Sequence, residues 1–526
     1  MDVLRPIGCQ VNNSTVAEML FQLKSLAVVL TLATVVFMLA KPVCLRFTAP
    51  EDFERRRMVW YVLTITGFLS PSFWVYVAVA APLLAWVAKK DSTPIAVFLF
   101  FIFVVPTVAL EIPIVGIKRI FDLNNWRILC LVVLLPAVVA RLQKSAAGQP
   151  MRLNTMDVLL LLYGALQLLL FMPYESLTNT ARRGFLFLLD TYLVFFACSR
   201  LLTNKDRLGD AMGALCLSAA IMAPMAAFES TRFWLLYLEI AERWGDPNVF
   251  GWLMRGDSLR SMVSTGHSIT LGYMMAMALG CWMYLKTLQS GAWGNRGVLM
   301  LLTAGLVFSY ARGAWLAGVL ACVIFVVLGS SNLAKFSKQV ALLAAMTAAF
   351  LATPVGSSLA DSLPFIGSQN QGTVEYRQQI AETSWALIQQ NPLLGNPFVL
   401  LQMEDLRQGQ GIIDIVNAYA QVALFYGLIG LSLYVGVSLI SLLRSYSLVR
   451  RARANQDMQM VALGAALIGC SLSNLFFMAT AGQSWLQWVL AGLLAAYANL
   501  VPAAAFEIDA QSSGRYNGGL NAKSAA

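Results

Sequence analysis

The sequence predicts an all-α, polytopic membrane protein with about 13–15 transmembrane helices and one large extracytoplasmic loop. Three observations lead there. Of 526 residues, 58% are hydrophobic and only 12% are charged. The hydrophobic residues fall in many runs close to or above the roughly 20 residues that cross the hydrocarbon of a bilayer. Lysine and arginine gather in alternate connections between those runs, as short cytoplasmic loops do. A water-soluble globular core is thereby excluded.

The spans follow in order. Polar residues Gln10 to Thr15 precede the first apolar run and no small-residue cleavage site follows it, so no cleaved signal peptide is expected. Arg55-Arg56-Arg57 and Lys89-Lys90 read as cytoplasmic. Between them, residues 59–88 are too long for one simple span and too short for two full ones, and Ser70-Pro71 in the middle predicts a tight helical hairpin. Arg127, beside Trp126, anchors a span end. Arg141, Lys144 and Arg152 fall inside, Arg182 and Arg183 outside, and Arg200, Lys205 and Arg207 inside. Residues 229–266 are then outside, with the amphipathic stretch Phe233 to Glu239 suited to the interface. Lys286 and Arg296 fall inside, the turn at Arg312 outside, and Lys335 and Lys338 inside.

The strongest anchor is the basic stretch Arg444 to Arg453, between spans near 415–441 and 459–478, which places residues 356–413 outside as the large loop. A last span near 483–502 returns a small, polar tail, residues 505–526, to the cytoplasm, where disorder is expected. Residues 1–504 thus form the multi-span domain. No internal repeat of fixed period shows, and nothing points to a second folded domain. Gly464, Gly469 and the glycines from Gly427 to Gly436 read as sites of close packing.

The eight cysteines stand singly, mostly inside apolar runs, without metal-ligand spacing; they read as small hydrophobes. His267 is the one histidine, so a multi-histidine metal site is excluded. No cofactor, metal or nucleic-acid partner is expected.

Arg312 stands between the apolar stretches Val298 to Phe308 and Ala314 to Leu328. A guanidinium so close to hydrocarbon is costly and cannot shed its proton. On the topology above it has company: Arg182, Arg183, Arg232, Arg243, Arg255, Arg260, Arg377 and Arg407 also face outward, with almost no lysine among them. Arginine's planar fork suits bidentate recognition of phosphate oxygens. The outer face therefore reads as an anion site, most simply for a phosphate or pyrophosphate. The plainer account pairs these arginines with Glu229, Glu239, Glu242, Asp246, Asp257, Glu375 and Glu382, or lets them snorkel to headgroups.

Several motifs carry a resemblance. Ser309-Tyr310-Ala311-Arg312-Gly313-Ala314-Trp315 resembles the serine-arginine-glycine junction of the O-antigen ligase and polymerase superfamily, bacterial membrane enzymes that move glycans from undecaprenyl diphosphate. Leu259 to Ser268, with Arg260 and His267, leading to Leu271-Gly272-Tyr273, is similar to the arginine-bearing entry of the preceding span. Glu375-Tyr376-Arg377, Trp385 and Asn391 to Pro397 resemble the large periplasmic loop. Asp414 to Gln421, leading to Tyr426-Gly427, is similar to the end of that loop. The resemblance covers residues 180 to 440, and its specificity lies in the order and spacing of motifs that are short one by one.

The resemblance implies inverting glycosyl transfer at the periplasmic face of the bacterial inner membrane, without metal or nucleotide. Its implied partners are an undecaprenyl-diphosphate-linked oligosaccharide, the bilayer, and flippase and chain-length-regulator proteins. On the matched positions, Arg312 and Arg260 would hold the diphosphate, with Arg377 closing over it and Arg183 as a weaker addition. Ligases that join O-antigen to lipid A core carry a histidine just before the loop-end asparagine; here Val416 precedes Asn417. That departure favours a polymerase of repeat units for an exopolysaccharide, capsule or O-antigen. It leaves the base open among Asp414, Glu375 and His267. A ligase acting on lipid A core or protein, and a transporter or flippase of a lipid-linked glycan, stand as alternatives. Charge at the outer boundary and the absence of a repeat weigh against the last.

Overall fold

The computed structural model describes residues 8–112, 121–146, 153–246, 251–255, 257–288, 292–329, 371–408 and 411–500. Among these, nine helices are long and apolar enough to cross a membrane, and four shorter apolar helices accompany them. The fold is all-α and polytopic, as the apolar runs require. The Lys335 and Lys338 connection, the first part of the large loop and the 505–526 tail lie outside the described residues.

Helix α1 (Gly8–Cys44) leads into the hairpin of α2 (Pro50–Leu69) and α3 (Phe73–Lys90). Pro50 starts α2 with a backbone angle already suited to a first turn, and Ser72 accepts the Val75 N–H to begin α3. The hairpin expected over 59–88 is thus present, with its turn at Ser70-Pro71. Then come α4 (Pro94–Val104), the strand pair β1 (Ala109–Glu111) and β2 (Asp122–Asn124), and α5 (Asn125–Lys144). Next are α6 (Thr155–Phe171), opened by a reciprocal Asn154 and Asp157 capping box, α7 (Leu177–Leu201), α8 (Lys205–Arg232) and the short α9 (Leu238–Trp244). Strands β3 (Met254–Arg255) and β4 (Ser258–Leu259) form a second hairpin before α10 (Ser268–Leu285), α11 (Ala292–Phe308) and α12 (Arg312–Gly329). The chain continues through α13 (Gln371–Gln390), α14 (Ala418–Ala454), α15 (Met458–Ala481) and α16 (Leu486–Leu500).

Two compact units divide the chain. The first takes Met1–Val139, Asp210–Val319 and Ala349–Gln369; the second takes Ala140–Gly209, Leu320–Ala348 and Asn370–Ala526. No boundary of this kind shows in the sequence, because each unit is assembled from three separate stretches.

In the first unit, α8 and α10 are the most enclosed spans, and their small residues permit it. A side chain at Gly272 would begin 2.6 Å from Ser309 Oγ and 2.9 Å from Ala311, so α10 presses its backbone onto the α11–α12 turn. Charge is also internal here. Arg55 and Arg57 pair with Asp52 and Glu54 beside them. Arg56, only 2% exposed, instead donates to both oxygens of Asp91 and both of Asp210, each at 2.8 Å, and Thr48 donates to Asp210 at 2.6 Å. One guanidinium thus satisfies two buried carboxylates. Arg56→Ala is expected to cost about 3–5 kcal/mol, since it strands both carboxylates without a cation. An unchanged thermal midpoint of the purified chain in detergent would contradict this.

In the second unit, α14 packs against α6, α15 and α16 through a core that includes Tyr163, Tyr434 and Trp488. Asp157 and Arg200 pair at 2.6 Å. Gly469 brings α15 to Ala321, where an added side chain would begin 2.8 Å from the carbonyl oxygen, and Gly464 admits the Tyr497 ring; both are close-packing glycines, as read. Gly427 differs. Its φ of 63° and ψ of −169° break α14. The released groups find partners in the Asn391 to Pro397 segment: Leu428 N–H donates to Pro392 O, Ile429 N–H to Leu393 O, and Asn396 N–H to Leu424 O. A broken helix is tolerable in a membrane only where other backbone replaces the lost bonds, and this loop supplies it. The loop has its own small core of Ile380, Val399, Met403, Ile415 and Leu424.

Candidate active site at the α11–α12 junction

The Ser309 to Arg312 turn is built by its own side chains. Ser309 Oγ donates to Leu306 O at 2.6 Å and accepts the Ala311 N–H, while Trp315 Nε1 donates to Leu306 O at 2.8 Å. Tyr310 sits in the left-handed region at φ 48°, an unfavourable place for a non-glycine residue and one that clusters at functional sites. Arg312 follows as the first residue of α12, so the partial positive charge of the helix start adds to its own.

The segment bearing Arg260 is stitched to this turn. Arg260 N–H donates to Leu253 O, Ser261 N–H to Phe308 O, and Ser261 Oγ to Ala226 O at 2.5 Å. Glu229, at the end of α8, accepts the N–H groups of Leu236, Met262 and Val263. The carboxylate considered as an arginine partner thus spends both oxygens on backbone, ordering the two loops that frame the site. Burial, and after it the positive charge of Arg312, hold the Arg260 guanidinium below its ordinary value. It remains charged. Its Nε is enclosed with no hydrogen-bond partner among the described residues. Two cations are therefore held within each other's field, an arrangement that an anion would relieve.

Arg255 joins them: from the β3–β4 hairpin its Nη1 donates to Tyr310 O at 2.9 Å. The sequence puts Arg255 on the outer face and gives it no place in the site. The turn signal Gly256-Asp257 between Arg255 and Arg260 was the available clue, since a hairpin there returns one arginine toward the other.

His267 caps α10, its Nδ1 accepting the Ile269 N–H at 3.1 Å. Burial and the nearby Arg260 push its pKa down to about 4. It is neutral at ordinary pH, a weak proton acceptor, and a helix cap by geometry. The folded value lies below the unfolded one near 6.5, so stability is full above pH 6.5 and falls as pH drops toward 4, by about 3 kcal/mol in all. His267→Asn, which keeps a capping side chain, is expected to flatten that part of the thermal-midpoint profile. An unaltered profile in this variant would contradict the assignment.

The remaining candidates lie in the second unit. On α13, Tyr376 turns inward, donating to Leu406 O at 3.0 Å and accepting the Asp414 N–H at 3.3 Å, while Glu375 and Arg377 on either side are exposed. The Asp414 side chain is exposed as well. Tyr376 therefore ties the loop end to α13 and leaves three ionisable groups at the surface. Asn417 caps α14, its side chain accepting the Tyr419 and Ala420 N–H groups. Arg183 pairs with Glu175 at 3.1 Å and stacks 3.9 Å over the Phe171 ring. Structure thus brings Arg260, Arg312 and Arg255 together in one unit and gathers Glu375, Arg377 and Asp414 near one loop in the other. Among the described residues no group of three or more His, Cys, Asp or Glu side chains is arranged to hold a metal ion.

A match over the α11–α14 region fits this geometry. Residues 297–435 match the O-antigen ligase family. The O-antigen ligase match holds the Arg312 junction, α13 with Arg377, and the loop that docks at Gly427. Arg255, Arg260 and His267 precede it. No curated protein matches the chain. The match covers the same Arg312 junction and loop that carry the resemblance in the sequence.

Proposed function

We propose that the protein joins undecaprenyl-diphosphate-linked oligosaccharide repeat units into a longer polysaccharide at the periplasmic face of the inner membrane, by inverting glycosyl transfer. The observation that carries this reading is the mutual field of Arg260 and Arg312 at the Tyr310 turn, with Arg255 bonded to the same turn. In the reaction, an acceptor hydroxyl oxygen bonds to the anomeric carbon as the bond from that carbon to the diphosphate breaks. The diphosphate departs with the electron pair, and fixed guanidinium groups stabilise the charge that develops on it. The hydroxyl proton passes to a carboxylate, for which Asp414 and Glu375 are the candidates. His267, as a neutral cap, is the weakest of the three.

Val416 at the position where core-joining ligases carry histidine supports a polymerase over a ligase. The match to an O-antigen ligase family supports the ligase as the second reading. A deletion strain separates them. Accumulation of single repeat units on the lipid carrier is the expected result; full-length chains left on the carrier would identify a ligase.

A further inference from the structure

Within the second unit, α6, α7, α14 and the start of α16 line a cavity of about 290 Å³ that opens to the outside. Its walls are aromatic, with Tyr163, Phe187, Tyr426, Tyr434 and Trp488 around it and Phe171 at the Arg183 end. Between the rings stand Gln167, Asp190, Thr191 and Gln483. Asp190 and Thr191 belong to a π-helical segment, Leu188–Tyr192, in the middle of α7. Such one-turn distortions recur at functional sites. An ionisable residue inside a membrane span is costly and marks a polar pathway or ligand. Gly164 completes the wall: any side chain there would strike the Phe187 ring, so glycine is what lets that ring lie against α6.

The chemistry of the walls selects among ligands. A lipid chain would set hydrocarbon against the polar atoms of Asp190, Thr191 and Gln483. A phosphate would face the Asp190 carboxyl, while Arg183 in the cavity wall already pairs with Glu175 and stacks on Phe171. A sugar ring fits both halves of the surface. Its C–H face packs on aromatic rings, and its hydroxyls donate to a carboxylate or amide oxygen and accept from amide or phenol groups. The volume lies just below the ~300–1,000 Å³ typical of small-molecule sites, enough for a small part of a glycan.

We propose that this cavity binds a sugar residue of the glycan, separately from the arginines that hold the diphosphate; this rests on the glycosyl-transfer reading above. The test uses the full chain in nanodiscs and, as probe, oligosaccharides cut from the host's own surface polysaccharide and carrying no phosphate. Their affinity is measured by calorimetry for wild type, Asp190→Asn and Gln483→Ala. Asp190→Asn keeps the shape of the side chain, and Gln483→Ala alters a residue outside the helices, so a fold defect in one leaves the other informative.

The expected result is binding by wild type weakened about tenfold or more in each variant, as loss of a hydrogen bond to the bound sugar predicts. Equal affinity in wild type and both variants would overturn the proposal, and so would absence of binding to wild type. Retention of a phospholipid by wild type and its loss from the variants, seen by native mass spectrometry, would overturn it in favour of a lipid site. The glycosyl-transfer reading is tested apart from all of these, by polymer formation in Arg312→Lys cells.

Discussion

Arg312→Lys is expected to reduce polymer formation by about 10²–10³-fold with normal expression, and Arg312→Ala by at least as much. Lysine preserves the charge and loses the planar fork that can span two oxygens of a diphosphate. The position magnifies the difference. Arg312 begins α12, next to a strained Tyr310 and within the field of Arg260, so a flexible ammonium would gain little of the fixed geometry. Repeat-unit accumulation and polymer length in a complemented deletion strain give the readout, with membrane abundance as the control. Polymer of normal length from the lysine variant would remove the bidentate role of this residue.

The second large effect is structural. Gly427→Ala is expected to destabilise the protein by roughly 2–5 kcal/mol, combining a backbone conformation open in practice to glycine alone with a direct clash. At φ 63° and ψ −169° an added Cβ would collide with the Leu393 carbonyl. On the other side of the contact, Gly395 at φ 66° would place a Cβ 2.6 Å from the Gly427 nitrogen, so neither partner can yield. Loss of the docked loop would disturb Tyr376 and Asp414 with it, so thermal midpoint and polymer formation should fall together. A midpoint equal to wild type would show that the break in α14 does not depend on this glycine.

The legible parts of the fold were those set by local composition. Apolar runs of span length, the Ser70-Pro71 turn and the small-residue packing of Gly464 and Gly469 could be read because each depends on a few neighbouring residues and the cost of polar groups in hydrocarbon. The matched Arg312 junction was legible for a similar reason: a permanent charge between two apolar stretches demands an explanation. What escaped were pairings across long separations. Arg56 lies in a basic run that looks uniform, yet its partners are 35 and 154 residues away. Glu229 looked available to an arginine, but the loops around it presented three backbone amides first. Tyr376, between two charged residues that drew attention, is the member of that motif that holds the loop.

Sequence alone determined that this chain is a multi-span helical membrane protein, that arginine rather than lysine loads one set of its loops, and that Arg312 is the unusual member of that set. Those conclusions follow from hydropathy, periodicity and the fixed charge of guanidinium, which act residue by residue. Tertiary structure decided which arginines share a field, which acids are spent on backbone, and that Gly427 is a break in a helix rather than a packing contact. Such outcomes depend on where distant backbone N–H and C=O groups come to rest, because a buried polar group must find a partner wherever the fold supplies one.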